Sequence, residues 1–208
     1  MASIECKQSY FEGRDVEPAL VDLYADRLGD PDLVLDVGCG RGSFGTLRKD
    51  RDVEVVGVDV DIGALETASQ REDVLVCDLE SGELPFANGS FDGLIAKDIL
   101  EHLTEPAAVL SEIERVLSPN GRGVISVPMA KPKVVWGDYT HVRGFTEGAI
   151  RMMVEDQGLA VVSVSPMGGV PGAGRFGLTK YLPHLLRVPG FRRLASSHEV
   201  VLEKPANE

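Results

Sequence analysis

The chain is poor in cysteine and aromatics, has no long apolar run and no excess of basic charge, and each shortage removes a class of protein. Cys6, Cys39 and Cys77 are its only cysteines. An odd, widely spaced set with no CxxC pair argues against both a disulfide framework and a zinc cluster, so reduced thiols are expected and no metal site is assigned. No stretch approaches the roughly 20 apolar residues that span a bilayer. The opening MASIECKQSYFEGRD also lacks a basic segment followed by an apolar one, so a cytoplasmic protein is expected. Asp and Glu number 33 against 21 Lys and Arg, a net charge of −12, which argues against nucleic acid as the main partner. A hydrophobic fraction of 43% over 208 residues suffices for one sizeable core, and a single domain over 1–208 is expected.

What is present is alternation. Short β-branched runs at Leu33–Val37, Val53–Val58, Asp73–Cys77, Phe91–Ala96 and Gly123–Val127 read as strands buried on both faces, because they are apolar without strict period-two patterning. Helical patterns fall between and around them, at Glu17–Leu28, Ser43–Lys49, Gly63–Gln70 and Glu105–Leu117. In the last of these Val109, Leu110, Ile113, Val116 and Leu117 share a face, Thr104 stands at a capping position and Pro106 lies in the first turn. Strand–helix alternation of this kind specifies an α/β fold with a parallel sheet. A further helix, Thr146–Gln157, is closed by Gly158, and strand-like runs follow at Leu159–Val164 and Val200–Leu202. Between them residues 166–198 are rich in Gly and Pro and carry Arg175, Lys180, Arg187, Arg192 and Arg193 with no Asp or Glu. That insert reads as a partly helical basic flap.

The sharpest motif is Val34-Leu-Asp-Val-Gly-Cys-Gly-Arg-Gly42, a strand running into glycines and then a helical pattern. Such a loop lets a ligand approach the backbone and offers it free N–H groups. Gly40-x-Gly42-x-x-Gly45 also satisfies the dinucleotide-binding pattern, which keeps a nicotinamide-dependent oxidoreductase among the alternatives. Asp36, two residues before the loop, would repel a pyrophosphate but suits an ammonium. Asp59, ending the second strand, can accept hydrogen bonds from two ribose hydroxyls. Asp78, where the third strand ends, followed by the backbone amide of Leu79, can read an adenine edge. A ligand with an amino-acid end, a ribose, an adenine and no phosphate is S-adenosylmethionine.

The stretches VLDVGCGRG, VVGVDVD, VLVCDLE, LPFANGSFDGLIAKDILEHL and LSPNGRGVISVP resemble, in order, motifs of the class I S-adenosylmethionine-dependent methyltransferases, especially those with the ubiquinone-biosynthesis-like (type 11) domain. The resemblance covers about residues 30–165. It implies a Rossmann-like, doubly wound, mostly parallel seven-stranded sheet whose last strand is antiparallel, with S-adenosylmethionine as cofactor and S-adenosylhomocysteine as product. On this resemblance Gly38, Cys39 and Gly40 border the methionine moiety, Asp59 and Val60 the ribose, Ile62 the adenine face, and Asp78 with Leu79 the base. Lys97 falls beside the sulfonium, where a second cation is unfavourable unless its ammonium turns away or binds an anionic substrate. Cys39 and Cys77 are expected as small pocket-lining residues.

Further candidates lie in Glu101-His102, which resembles a family signature at a helix end, and in Asp138-Tyr139-Thr-His141-Val-Arg143, in a loop that faces the acceptor in similar enzymes. His141 is the candidate general base, because imidazole titrates near neutrality. His102, Tyr139, Arg143 and Arg175 are candidates for substrate binding. Asp138 with His141 offers two metal-ligand types in one loop, too little to assign a metal. The expected function is methyl transfer to an oxygen or nitrogen of a small-molecule acceptor, with the basic flap drawing in an anionic acceptor or touching lipid headgroups. A non-catalytic S-adenosylmethionine-binding protein stays open as an alternative.

Overall fold

The computed structural model describes residues 16–47, 51–168 and 192–206. Its centre is one seven-stranded sheet in the order β3-β2-β1-β4-β5-β7-β6. The strands are β1 (Leu33–Val37), β2 (Glu54–Asp59), β3 (Asp73–Val76), β4 (Phe91–Lys97), β5 (Leu117–Pro128), β6 (Ala160–Met167) and β7 (Ser197–Glu203). The first five run parallel, while β7 lies antiparallel between β5 and β6. The α/β, mostly parallel architecture with a reversed last strand expected from the sequence is therefore present.

Alternation along each strand divides the core into two layers. Val34 of β1, Val55 of β2, Ile95 of β4 and Val124 of β5 pack under α1 (Pro18–Leu28), whose Val21, Tyr24, Ala25 and Leu28 are buried. Their neighbours Leu35, Val37, Leu94, Ala96, Ile125 and Val127 face the opposite layer. There α3 (Pro106–Val116) buries Val109, Leu110, Ile113 and Val116. α5 (Glu147–Glu155) contributes Ile150 and Val154 beside it, its N-terminus capped by the Thr146 hydroxyl, which accepts from Ala149 N–H at 3.2 Å. The shorter α2 (Ile62–Ala68) connects β2 to β3 and α4 (Pro132–Val135) follows β5.

Several local expectations are corrected. The Ser43–Lys49 helix expectation is met only at its start: a 3-10 turn, Phe44–Thr46, leads into a helical residue at Leu47, and 48–50 lie outside the described residues. Thr104 does not cap α3; Glu105 holds that position without a side-chain bond, and the Thr104 N–H instead donates to Glu80 Oε1 at 2.8 Å. β3 is not buried on both faces, because it is the edge strand: Leu75 is 41% and Val76 60% exposed. The basic insert begins later and ends earlier than its composition suggests. Pro166 and Met167 still pair in β6, and Ser197 and His198 already pair in β7. Residues 169–191, including Arg175, lie outside the described set.

The burial of α3 makes a direct prediction. Leu110→Ala, at a site with no solvent exposure, should cost about 2–5 kcal/mol in urea unfolding. Ser111→Ala, one residue on and exposed, should stay within ~0.5 kcal/mol. Equal losses at the two sites would contradict the assignment of the helix face.

Candidate functional site

β1 is the point where the strand order reverses, with β2 and β3 on one side and β4 and β5 on the other. Open parallel sheets bind ligands outside the carboxyl ends of their strands at such a point. The glycine loop leaves β1 there. Gly38 and Cys39 both donate their N–H to the Val58 carbonyl of β2, at 2.8 and 3.1 Å. Gly38 has φ +72°, and a Cβ on it would lie 2.7 Å from the Ile99 side chain, so glycine alone fits. Asp59 closes the arrangement: Oδ2 accepts from Gly40 N–H at 2.8 Å and Oδ1 from Asp61 N–H at 2.9 Å. Asp61 in turn caps α2 by accepting from Ala64 N–H at 2.8 Å.

A cavity of about 330 Å³ opens beside this loop. Gly38, Asp59, Val60, Cys77, Asp78 and Leu79 line one part of it, and Ile99, His102, Leu103 and Thr140 another. Asp78 caps a short turn, its Oδ1 accepting from Glu80 N–H at 3.0 Å. Ile62, 64% exposed, and Val60, 45% exposed, offer apolar surface beside it. Asp36, Asp59 and Asp78, predicted together from three separate motifs, thus stand at the ends of three strands. Asp36 is 2% exposed and its Oδ2 has no hydrogen-bond donor among the described residues. Burial, then the Glu72 and Asp59 carboxylates, hold its pKa well above the usual carboxylate range.

Lys97 answers the difficulty of a cation beside a sulfonium, because its ammonium is paired with Asp98. Asp98 has φ 52°, a left-handed conformation that Asp tolerates better than most residues. It also accepts from Ser126 Oγ at 2.8 Å. Burial raises the Asp98 pKa, but Lys97, Ser126 and His102 together bring it below the ordinary value.

Cys39 does not point where the sequence reading placed it. Its backbone forms the loop, but its side chain packs with Leu65 and Ala68 beneath α2. The turn at Gly38 and Gly40, both with positive φ, carries the Cys39 side chain behind the loop, whereas Cys77 does line the cavity. Beside Cys39 lies a group the sequence reading missed, Glu72, 3% exposed. Neither of its carboxyl oxygens meets a conventional donor among the described residues. Nothing in the local pattern around Glu72 distinguishes it from a solvated acid.

Across the cavity, Glu101 and His102 lie in a turn after β4, not at a helix end as expected. The facing loop, 130–144, is closed at its base by pairing of Met129 with Phe145. Two bonds fasten it to the turn: Val142 N–H to the Glu101 carbonyl at 2.9 Å, and Arg143 Nη2 to the Thr104 carbonyl at 2.7 Å. His102 and His141 meet edge to face, ring centroids 4.8 Å apart. His141 Nε2 lies 3.9 Å from Glu101 Oε1. Burial, and then the Asp98 charge, push Glu101 up to about 8; burial and His141 lower the His102 pKa. Of the acceptor-side candidates, His102 lines the cavity and His141 stands behind it. Tyr139 is 92% exposed, and Arg143 is spent on the Thr104 carbonyl.

A nucleoside-sized cavity at the switch point of a parallel sheet, ringed by strand-end carboxylates, defines a Rossmann-like cofactor-binding protein. Residues 35–125 match the family model described as a methyltransferase domain. The chain is 29% identical over 199 residues to a methyltransferase of Mycolicibacterium gilvum, covering 83% of this chain and 76% of that one. It is 28% identical over 141 residues to the ubiquinone biosynthesis O-methyltransferase of Alkalilimnicola ehrlichii, covering 62% of this chain but only 54% of that enzyme's length. A crystal structure of an S-adenosylmethionine-dependent methyltransferase from Archaeoglobus fulgidus shares the fold, with a TM-score of 0.74 at 16% identity over 95% of this chain and all of that one. The chain is thus similar, in its matched segment and in its fold, to S-adenosylmethionine-dependent methyltransferases, and S-adenosylmethionine is the cofactor these likenesses support. The residues fit that group: the orphaned Asp36 oxygen calls for a cationic donor, and the Gly38 cradle admits no side chain. The nicotinamide alternative has no such support. Among the described residues no helix is long and apolar enough to cross a membrane.

Glu72 generates the prediction here. Burial raises its pKa from 4.5 to about 7, with the Cys39 thiol and Arg71 pulling the other way. A raised folded-state value means that the folded chain keeps its proton longer. The stability this confers is full below about pH 4.5 and is lost as pH rises to about 7. Glu72→Gln should match wild type at pH 4 and exceed it by on the order of 1–3 kcal/mol at pH 8 in urea titrations. An undiminished pH slope in the variant would contradict the assignment.

Proposed function

We propose that the protein transfers a methyl group from S-adenosylmethionine to an oxygen or nitrogen of a small-molecule acceptor, with anionic acceptors favoured. The observation that carries this reading is the shared cavity, which joins Gly38, Asp59 and Asp78 on the cofactor side to His102 and Thr140 on the far side. S-adenosylmethionine supplies, when bound, a methyl group already activated by its sulfonium.

The protein's own contribution is positioning and the exclusion of water. Asp59 keeps lone pairs beyond those given to Gly40 and Asp61, and these accept the ribose hydroxyls. Asp78 and the Leu79 amide hold the adenine, with Val60 and Ile62 against its face. Asp36 meets the methionyl ammonium, the cation its unpartnered oxygen lacks. Lys97, held by Asp98, keeps its charge off the sulfonium. The acceptor enters under the 130–144 loop, and the cluster around His102 and His141 handles its proton.

Preference for an anion rests on the basic segment. Its returning end is tied next to the acceptor loop, since Lys131 Nζ donates to the Ala195 carbonyl at 2.5 Å. The five basic residues of that segment, of which Arg192 and Arg193 are described, favour anionic acceptors by long-range attraction that salt screens.

The test is calorimetric titration with S-adenosylhomocysteine. Wild type should bind, and Asp59→Ala should bind at least roughly 10–100-fold more weakly, the ~1.5–3 kcal/mol of hydrogen bonds to a charged group. An unchanged dissociation constant in Asp59→Ala would overturn the pocket as drawn. Turnover, followed as S-adenosylhomocysteine release, should fall with added salt for carboxylate- or phosphate-bearing acceptors and not for neutral ones.

A further inference from the structure

Glu101, His102 and His141 each bring one ligand atom to within 4.8 Å of the other two. They come from two segments fastened also by the Val142–Glu101 backbone bond and the Arg143–Thr104 bond, so neither Glu101 nor His141 is needed to hold the loop in place. Glu101 is 1% exposed, yet its Oε2 has no donor, and the buried Nδ1 of His141 has no hydrogen-bond partner either. Leaving such buried groups unmet opposes folding. The two do not satisfy each other, because 3.9 Å between His141 Nε2 and Glu101 Oε1 is too long for a hydrogen bond.

His102 completes the arrangement. Its Nδ1 faces the Thr140 carbonyl at 3.3 Å. A carbonyl can only accept, so Nδ1 carries the hydrogen and Nε2 the lone pair. Imidazoles that ligate metals are oriented in this way by a carbonyl on the other nitrogen. Asp138, in contrast, spends Oδ1 on the Thr140 N–H at 3.0 Å and hydroxyl at 2.6 Å, which orders the loop.

We propose that Glu101, His102 and His141 form a binding site for a divalent first-row transition ion on the acceptor side of the cavity. Two imidazoles and one carboxylate suit Zn²⁺ or Fe²⁺; Mg²⁺ and Ca²⁺ prefer oxygen ligands. Three protein ligands leave coordination positions open, and His102 sets the site at the cavity wall. The ion's role, though not its binding, rests on the methyl-transfer reading and takes the place of the two imidazoles acting as bases: an acceptor hydroxyl ligated there loses its proton to solvent more readily. The oxygen's electron pair then forms the bond to the methyl carbon, and the pair of the broken sulfur–carbon bond returns to sulfur.

The test uses cobalt(II) alone, titrated into the full untagged chain and followed by its visible d–d absorption, with S-adenosylhomocysteine calorimetry in parallel. One cobalt per chain, displaced by zinc(II), is expected. Glu101→Gln and His141→Asn should each weaken cobalt binding by at least the ~10–100-fold that loss of even an outer-shell partner costs, while both still bind S-adenosylhomocysteine. Should Glu101→Gln fail to fold, His141→Asn carries the comparison. No cobalt binding to wild type, or equal binding by wild type and the variants, overturns the ion site and leaves the cofactor pocket standing. Cobalt binding without S-adenosylhomocysteine binding supports the ion site and overturns the methyl-transfer reading instead.

Discussion

The carboxylate of Asp59 clasps the two turns on which the site is built. One oxygen holds the Gly40 N–H of the glycine loop and the other holds the Asp61 N–H at the start of α2. With Gly38 and Cys39 both hung on the Val58 carbonyl, the end of β1 is fixed against the end of β2. The register of that pair, Val37 beside Val58, then determines where the cavity opens. The same side chain braces the loop and lines the cavity, so a substitution at Asp59 disturbs the loop as well as the ribose contact proposed for it. Binding data on such a variant measure both.

A second constraint is electrostatic. Asp36, Glu72 and Glu101 are all nearly inaccessible to solvent, and burial raises the pKa of each. Desolvated carboxylates oppose folding unless a partner meets them. Their concentration at the carboxyl edge of the sheet is what a site for positively charged ligands requires, and local strain or instability at such sites is a common cost of function. We propose Asp36 as the partner of a cofactor ammonium and Glu101 as a ligand of a metal ion. Glu72 lies under the glycine loop beside Cys39, where it couples loop stability to pH.

The sheet was legible because its determinants are local. β-branched runs between helical patterns specify parallel strands, and the acids at 36, 59 and 78 end three of them whatever the loops do. What escaped was decided by position in the sheet or by contacts distant in sequence. Leu75 and Val76 read as core until β3 turned out to be an edge strand. Cys39 was placed correctly by its backbone, but which way its side chain points depends on the loop's path over β2. Glu101 and His141 are separated by the whole of α3 and β5; no spacing rule connects them, and only closure of the 130–144 loop brings them together.

The central claim is that one cavity at the β1 switch point holds the cofactor by the strand-end acids. A crystal structure of the complex with S-adenosylhomocysteine tests it most directly. The account predicts ribose hydroxyls on the Asp59 carboxylate, the adenine edge at Asp78 and the Leu79 amide, and the amino terminus beside Gly38 and Asp36. Density for the ligand elsewhere, or in this cavity with Asp59 making no contact to the ribose, would contradict it.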